Sequence, residues 1–223
     1  MKGRAVLLFA ASIAGIVAIA GSARKRVMAP PAAPTAAAPN SPPATTVAAV
    51  ALGEVDRWKG LTEASPAADA ILRDYWAATG QPYPGPSTAW SAAFISWVVA
   101  HSNVPNALAP SGGHVYYARQ AYLDRGKPGR FGAFRLDEVS SIEPGDIVVS
   151  SRAADAGAVP LIFADLQQPG PFVAAHGDVV VAANGSMLHL VGGNVDDGVT
   201  ERAASATSPN LVAVLRYQPK GVA

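Results

Sequence analysis

Residues 89–102 read AWSAAFISWVVAHS, and this stretch predicts a helix that is apolar on nearly every face. Trp90, Phe94 and Trp97 share one side at helical spacing, and alanine, isoleucine and valine cover most of the other. Such a helix packs in the middle of a domain, because it has no polar face to turn towards water. We expect it to begin near residue 87 or 88, so that Ser91 lies in its first turn.

The segments that follow and precede this helix predict a mixed fold class. A helix is expected from Ser65-Pro66 to Gly80, and another over residues 114–124. After a Pro-Gly-Asp turn at 144–146 the apolar residues alternate, which predicts strands at 147–150, 176–183, 186–191, 199–202 and 211–217. Helices followed by antiparallel strands indicate an α+β fold.

The composition excludes several classes of protein. The length of 223 residues suits one domain with appendages. A formal net charge of +1 provides no basic footprint, so a nucleic-acid partner is not expected. The chain has no cysteine, which excludes a disulfide scaffold, cysteine-ligated zinc and a thiol nucleophile.

The N-terminal region predicts export. Residues 1–26 contain an apolar run between two basic clusters and are expected to form a signal peptide or an N-terminal membrane anchor. Residues 27–52 are rich in alanine and proline and are expected to be a disordered linker. Residues 53–220 would then form a single domain, periplasmic or otherwise extracytoplasmic, with residues 5–23 as a tether to the inner membrane in the anchored case.

Ser91 and His176 are the residues to which the sequence points for chemistry. Ser91 would lie at a helix N-terminus, where free backbone N–H groups and the helix dipole stabilise a developing oxyanion. His176 opens a strand, from which a general base could reach across to that helix. The alternatives are a capping role for Ser91 and a packing or surface role for His176.

Three residues are candidates for orienting the His176 ring. The Asn-Gly pair at 184–185 predicts a two-residue hairpin loop, which puts residue 180 opposite 189 and residue 176 opposite 193. Strict alternation then places His176, Asp178 and His189 on one face of the sheet. Asn194 lies just past the residue opposite His176. The sequence does not choose among Asn194, His189 and Asp178.

Five segments carry a resemblance to known proteins. They read WSAAFISWVV, SGGHVYYARQA, EPGDIVVSSR, HGDVVV and GGNVDDGV, and together they resemble a bacterial domain-of-unknown-function family, DUF2272, over nearly all of residues 65–217. That family in turn resembles the papain-like NlpC/P60 and CHAP group, enzymes that cut peptide or amide bonds in bacterial cell walls. The resemblance implies a papain-like fold, with N-terminal helices packed on a small antiparallel sheet.

The resemblance also implies roles for single residues. Ser91 takes the place of the nucleophile, which is a cysteine in the NlpC/P60 and CHAP enzymes, and His176 takes the place of the base. Asn194 matches the third residue of CHAP-type domains, whereas His189 matches that of NlpC-type domains.

Three further residues are candidate substrate contacts, namely His114, Tyr117 and Trp90. The alternatives are a capping or packing role for His114 and a place in the core for Trp90.

The function that the resemblance implies is a Ser-His hydrolase of peptidoglycan peptide or amide bonds. The alternative is a catalytically inactive module that binds cell-wall peptide or glycan. A third hypothesis is a metal-dependent hydrolase that uses His114, His176, His189 and Asp178, but no HExxH or other ligand spacing supports it, so no metal site is expected. No cofactor is expected either. The expected partner is peptidoglycan or a cell-wall peptide, and the sequence does not indicate an oligomeric state.

Overall fold

The computed structural model describes residues 46–152 and 159–220. These residues form four α-helices, which are α1 (Val47–Arg57), α2 (Pro66–Ala78), α3 (Ser91–Ala100) and α4 (His114–Leu123). They also form six strands, which are β1 (Arg130–Phe134), β2 (Ile147–Ser151), β3 (Ala175–Asn184), β4 (Met187–Val195), β5 (Gly198–Ser205) and β6 (Leu211–Gln218). The predicted α+β fold class is confirmed.

The strands form one antiparallel sheet in the order β1-β6-β2-β3-β4-β5. The main core lies between the helices and one face of this sheet, where Phe94 of α3 and Val179 and Val191 of the sheet belong to the same apolar cluster. A smaller cluster around Val148 and Val180 covers the other face. Helix α3 is buried along most of its length, as its apolar sequence predicts.

Helix α1 begins within the segment that the sequence assigns to the linker. Residues 47–52 belong to α1, and Val47, Ala48 and Ala51 are buried. The Thr46 side chain caps the helix by accepting a hydrogen bond from the Ala49 N–H. The alanine-rich composition looks like linker, but this part of it lacks proline and repeats its small apolar residues at helical spacing, so it packs as a helix.

The hairpin between β3 and β4 has a different register from the predicted one. Gly185 has a positive φ of 60° and takes the first loop position, so the loop moves one residue along the chain and Asn184 pairs with Met187. His189 therefore faces Ala182 rather than residue 180. A bulge between residues 180 and 182 then shifts the register again, so that Val180 faces Leu190.

The expected signal peptide or anchor at 1–26, and most of the expected linker, lie outside the described residues. Within residues 46–152 and 159–220, no helix is long and apolar enough to cross a membrane.

Candidate functional site

Ser91 is the first residue of α3, and its side chain is buried there. The residue before it, Trp90, occupies the N-cap position without a capping hydrogen bond from its side chain. The first hydrogen bond of the helix runs from the Phe94 N–H to the Trp90 carbonyl at 3.0 Å, so the earlier N–H groups have no partner within the helix. Ser91 therefore lies beside free N–H groups at the positive end of the helix dipole.

The Ser91 hydroxyl contacts His114, and this contact makes Ser91 part of a hydrogen-bonded chain of three side chains. Ser91 Oγ lies 2.6 Å from His114 Nε2, and His114 Nδ1 lies 2.5 Å from the Tyr117 hydroxyl. His114 and Tyr117 are three residues apart on α4, which puts them on the same helix face. A hydroxyl, an imidazole and a phenol thus form a continuous hydrogen-bonded chain, and Ser91 does not act as a simple helix cap.

Ser96 ties the start of α4 to α3 and so fixes the distance between Ser91 and His114. Its hydroxyl donates to the backbone carbonyl of Ala92 or Ser111 at 3.0 Å and accepts from the Ser111 N–H at 3.0 Å. Ser111 in turn accepts a hydrogen bond from the Gly113 N–H at 3.1 Å, directly before His114. Each of these bonds lies in the buried interior, where hydrogen bonds hold their geometry best.

Burial keeps the His114 ring and the Tyr117 phenol neutral at neutral pH. It lowers the pKa of the His114 ring well below its usual value, and the nearby charges of His176 and Arg152 lower it further. Burial also raises the pKa of the Tyr117 phenol well above its usual value, with a further rise from the Asp178 carboxylate. A neutral imidazole next to a hydroxyl is the form that can accept a proton.

The low pKa of His114 makes the stability of the fold depend on pH. Below the pKa of an unfolded histidine, near 6.5, the unfolded chain binds a proton at this position that the folded chain does not bind. The free energy of unfolding should therefore fall as the pH drops from about 6.5 towards the folded pKa, by at most about 1.4 kcal/mol per pH unit for this one group. Urea unfolding of the native protein and of His114→Gln at several pH values measures this effect. The variant should show a shallower fall, and equal slopes would contradict the assignment.

His176 does not contact the Ser91 hydroxyl and belongs to a second hydrogen-bonded cluster, with Asp178 and Arg202. His176 Nε2 lies 3.2 Å from Asp178 Oδ1, and Arg202 donates to the other Asp178 oxygen at 2.6 Å. The Asp178 side chain is fully buried, and its charge is balanced by Arg202. Gly192 leaves room for this cluster, because a Cβ there would overlap with Asp178.

Strand alternation explains why the expected Ser91–His176 contact does not form. Gly177 turns its Cα towards His114 and Tyr117, on the helix side of the sheet. Its neighbours His176 and Asp178 consequently project from the opposite face. The two histidine rings still come close at the start of β3, with 5.4 Å between their centroids. In the structure, the residue that bonds Ser91 is His114, and the prediction of His176 as its direct partner is corrected.

The three candidates for orienting His176 separate clearly. Asp178 contacts the ring, as described above. His189 instead bonds Glu201 at 3.0 Å on the exposed side of the hairpin, because the bulge between residues 180 and 182 reverses the alternation and turns it to the other face. Asn194 has a positive φ of 55° at the end of β4 and lines a cavity together with His176.

Two of the expected substrate contacts, Trp90 and Tyr117, have no exposed surface. The Trp90 ring stacks on Trp58 with 4.8 Å between centroids, and its indole N–H donates to Glu63 at 3.0 Å. Tyr117 contacts His114 from within the core. The burial of both side chains corrects the expectation of direct contact with a substrate and places Trp90 in the core. His114 is buried as well.

A family model described as "Uncharacterized protein conserved in bacteria (DUF2272)" matches residues 53–216. The chain belongs to the DUF2272 family. No curated protein and no solved structure matches it significantly. The further link from DUF2272 to the NlpC/P60 and CHAP enzymes therefore stays a prediction.

Two features of this DUF2272 chain were missed by sequence reasoning. The role of Tyr117 as the partner of His114 could have been found from their spacing of three residues on one helix. Arg202 lies on β5, opposite Leu190, and reaches Asp178 on β3 across the strand between them. No local pattern indicates a contact of that kind. Within the described ranges, no group of three or more histidine or acidic side chains is arranged to hold a metal ion.

Proposed function

We propose that this DUF2272 protein is an exported hydrolase of peptide or amide bonds in the bacterial cell wall, with Ser91 as nucleophile and His114 as general base. The observation that carries the proposal is the 2.6 Å contact between Ser91 Oγ and His114 Nε2 at an uncapped helix N-terminus. A nucleophile within hydrogen-bond reach of a neutral base, with a third group on the other ring nitrogen, is the arrangement that covalent acyl transfer requires. Tyr117 is the third group here.

The proposed reaction uses only groups of this chain and water. In the tautomer with its proton on Nδ1, His114 donates to the Tyr117 oxygen and accepts from the Ser91 hydroxyl. Ser91 Oγ attacks the carbonyl carbon while its proton passes to His114 Nε2, and N–H groups of the first turn of α3 stabilise the oxyanion. The C–N bond then breaks as His114 returns the proton to the leaving amine. Water hydrolyses the acyl-serine through the same base and restores both residues.

Two features support the cell-wall substrate and the location. The motifs around Ser91 and His176 resemble those of papain-like cell-wall enzymes, and the same resemblance supports a papain-like relationship for the α+β fold. The apolar run flanked by basic residues at the N-terminus supports export.

The test is the release of fragments from purified peptidoglycan by the full-length protein, read by mass spectrometry. The full chain is needed because a version beginning at residue 54 would cut through α1, which is part of the core. We expect the native protein to release fragments, Ser91→Ala to release none, and Ser87→Ala to behave like the native protein, since Ser87 is exposed and precedes the helix. Fragments from Ser91→Ala at the native rate would overturn the proposal.

The binding module is a second candidate, and one observation favours it. Ser91 is only 6% exposed, so the hydroxyl offers little surface to a substrate. A module of this kind would bind sacculi and release no fragments from them. Sedimentation of the native protein and of Ser91→Ala with sacculi, without release of fragments by either, would favour this candidate over the hydrolase.

A further inference from the structure

We infer that the cavity lined by Arg152, His176, Asn194 and Arg202 is a subsite for a carboxylate group of a peptide substrate. The cavity has a volume of about 310 Å³ and lies between the start of β3 and the turn that joins β4 to β5. The inference rests on the proposed function, because it assigns the cavity to the same peptide substrate. It goes further by naming the group that the protein would recognise.

The side chains around the cavity offer hydrogen-bond donors. Arg152 is exposed and makes no ion pair with another described residue. Arg202 uses one Nη2 contact for Asp178, which leaves its Nε and Nη1 donors for another acceptor. The Asn194 amide adds two more donors. Two guanidinium groups and an amide around one cavity fit an anion with planar oxygens, which arginine binds in a bidentate manner.

The acidic groups near the cavity do not cancel this preference. Asp178 is fully buried, and both of its oxygens are already engaged by His176 and Arg202. Asp196 lines the cavity and is exposed to solvent, as Arg152 is, so solvent screens both charges, and the two side chains form no ion pair with each other. Arg152 therefore contributes a positive charge for which the described residues provide no partner.

The position of the cavity connects it to the Ser91–His114 pair. His176 lines the cavity, and its ring lies 5.4 Å from the His114 ring between centroids. A substrate whose carboxylate is bound by Arg152 would therefore have its neighbouring bonds close to the residues that act on them.

The test measures binding in a chain that does not consume the probe. Full-length protein with Ser91→Ala is titrated by calorimetry with N-acetyl-Ala-Ala, which has a free carboxylate, and with its C-terminal amide. We expect the acid to bind at least about tenfold more tightly than the amide, because a charge-assisted hydrogen bond is replaced by a neutral one. Adding Arg152→Gln should remove most of this difference.

Two further variants make the test specific. Asn194→Gly removes the amide but keeps the backbone, since glycine tolerates the positive φ at this position, and it should weaken binding of the acid severalfold. Lys59→Gln removes the same charge as Arg152→Gln from an exposed site on another part of the chain and should leave the preference intact. Circular dichroism spectra of each variant, compared with that of the native protein, serve as the control for folding.

The outcomes separate this inference from the proposed function. Equal binding of acid and amide, or a preference that Arg152→Gln leaves unchanged, would overturn the subsite. Binding of inorganic phosphate with no binding of the acid would also overturn it and would point to a phosphate ligand. Because the titration does not depend on turnover, a preference for the acid would support the subsite even if peptidoglycan fragments were never released.

Discussion

Replacing His114 with glutamine is expected to lower the rate of fragment release by about 10²- to 10⁴-fold, the contribution typical of a general base. Glutamine keeps a polar group near Ser91 but cannot accept and return a proton. His176→Gln is expected to cost less than about tenfold, because His176 bonds Asp178 and lies outside the hydrogen-bonded chain of Ser91. Initial rates on soluble peptidoglycan fragments measure both effects.

A third histidine serves as the matched control for these two variants. His189→Gln changes a ring that bonds Glu201 on the exposed side of the hairpin, and the rate should stay at the native value. A loss in His176→Gln as large as that expected for His114→Gln, together with near-native activity of the His114 variant, would return the role of base to His176.

Gly177→Ala should destabilise the fold by about 1–3 kcal/mol, the usual cost of forcing an extra group into a packed interior. A Cβ at this position would overlap with the Tyr117 hydroxyl and lie 2.7 Å from His114 Nδ1. Neither atom can move away without breaking the 2.5 Å contact between them. Urea unfolding of the native protein and the variant gives the difference in the free energy of unfolding.

The same substitution at another glycine separates crowding from a general effect of alanine. Gly53 lies within α1, and apart from its chain neighbours and the backbone of its own helix no atom lies within 4 Å of the Cβ that alanine would add. Gly53→Ala should therefore stabilise the chain by about 0.5–1 kcal/mol, because glycine costs roughly that amount in a helix. Equal effects of the two substitutions would show that β3 does not pack tightly on His114 and Tyr117.

Local patterns in the sequence predict most of the fold. The apolar run around Phe94 predicts α3, and the Asn-Gly pair at 184–185 predicts a hairpin that does form. Strand β1 was missed, since RFGAF is only five residues long and contains glycine. Pairing with β6 defines this strand, and such a partner is distant in sequence.

The candidate site was predicted in part, for a physical reason. Ser91 and His114 were both singled out, yet the contact between them joins two helices and depends on the loop that Ser96 ties to α3. His176 was assigned the role of base because it opens a strand and matches the base of the papain-like enzymes that the motifs resemble. The face of the sheet to which a strand residue points depends on strand pairing and bulges. A shift of the pairing register by one residue turns the side chain to the opposite face.

The stacked rings of Trp58 and Trp90 provide a spectroscopic signal at the start of α3. The two indole rings are 4.8 Å apart at 15°, fully or almost fully buried, and Trp90 directly precedes Ser91. Rings held this close couple electronically, so they should add a distinct band to the circular dichroism spectrum and shape the intrinsic fluorescence. A ligand that moves the start of α3 should change both signals, because Trp90 is bonded directly to Ser91. Ligand binding at this serine can therefore be followed in the native chain without an added dye.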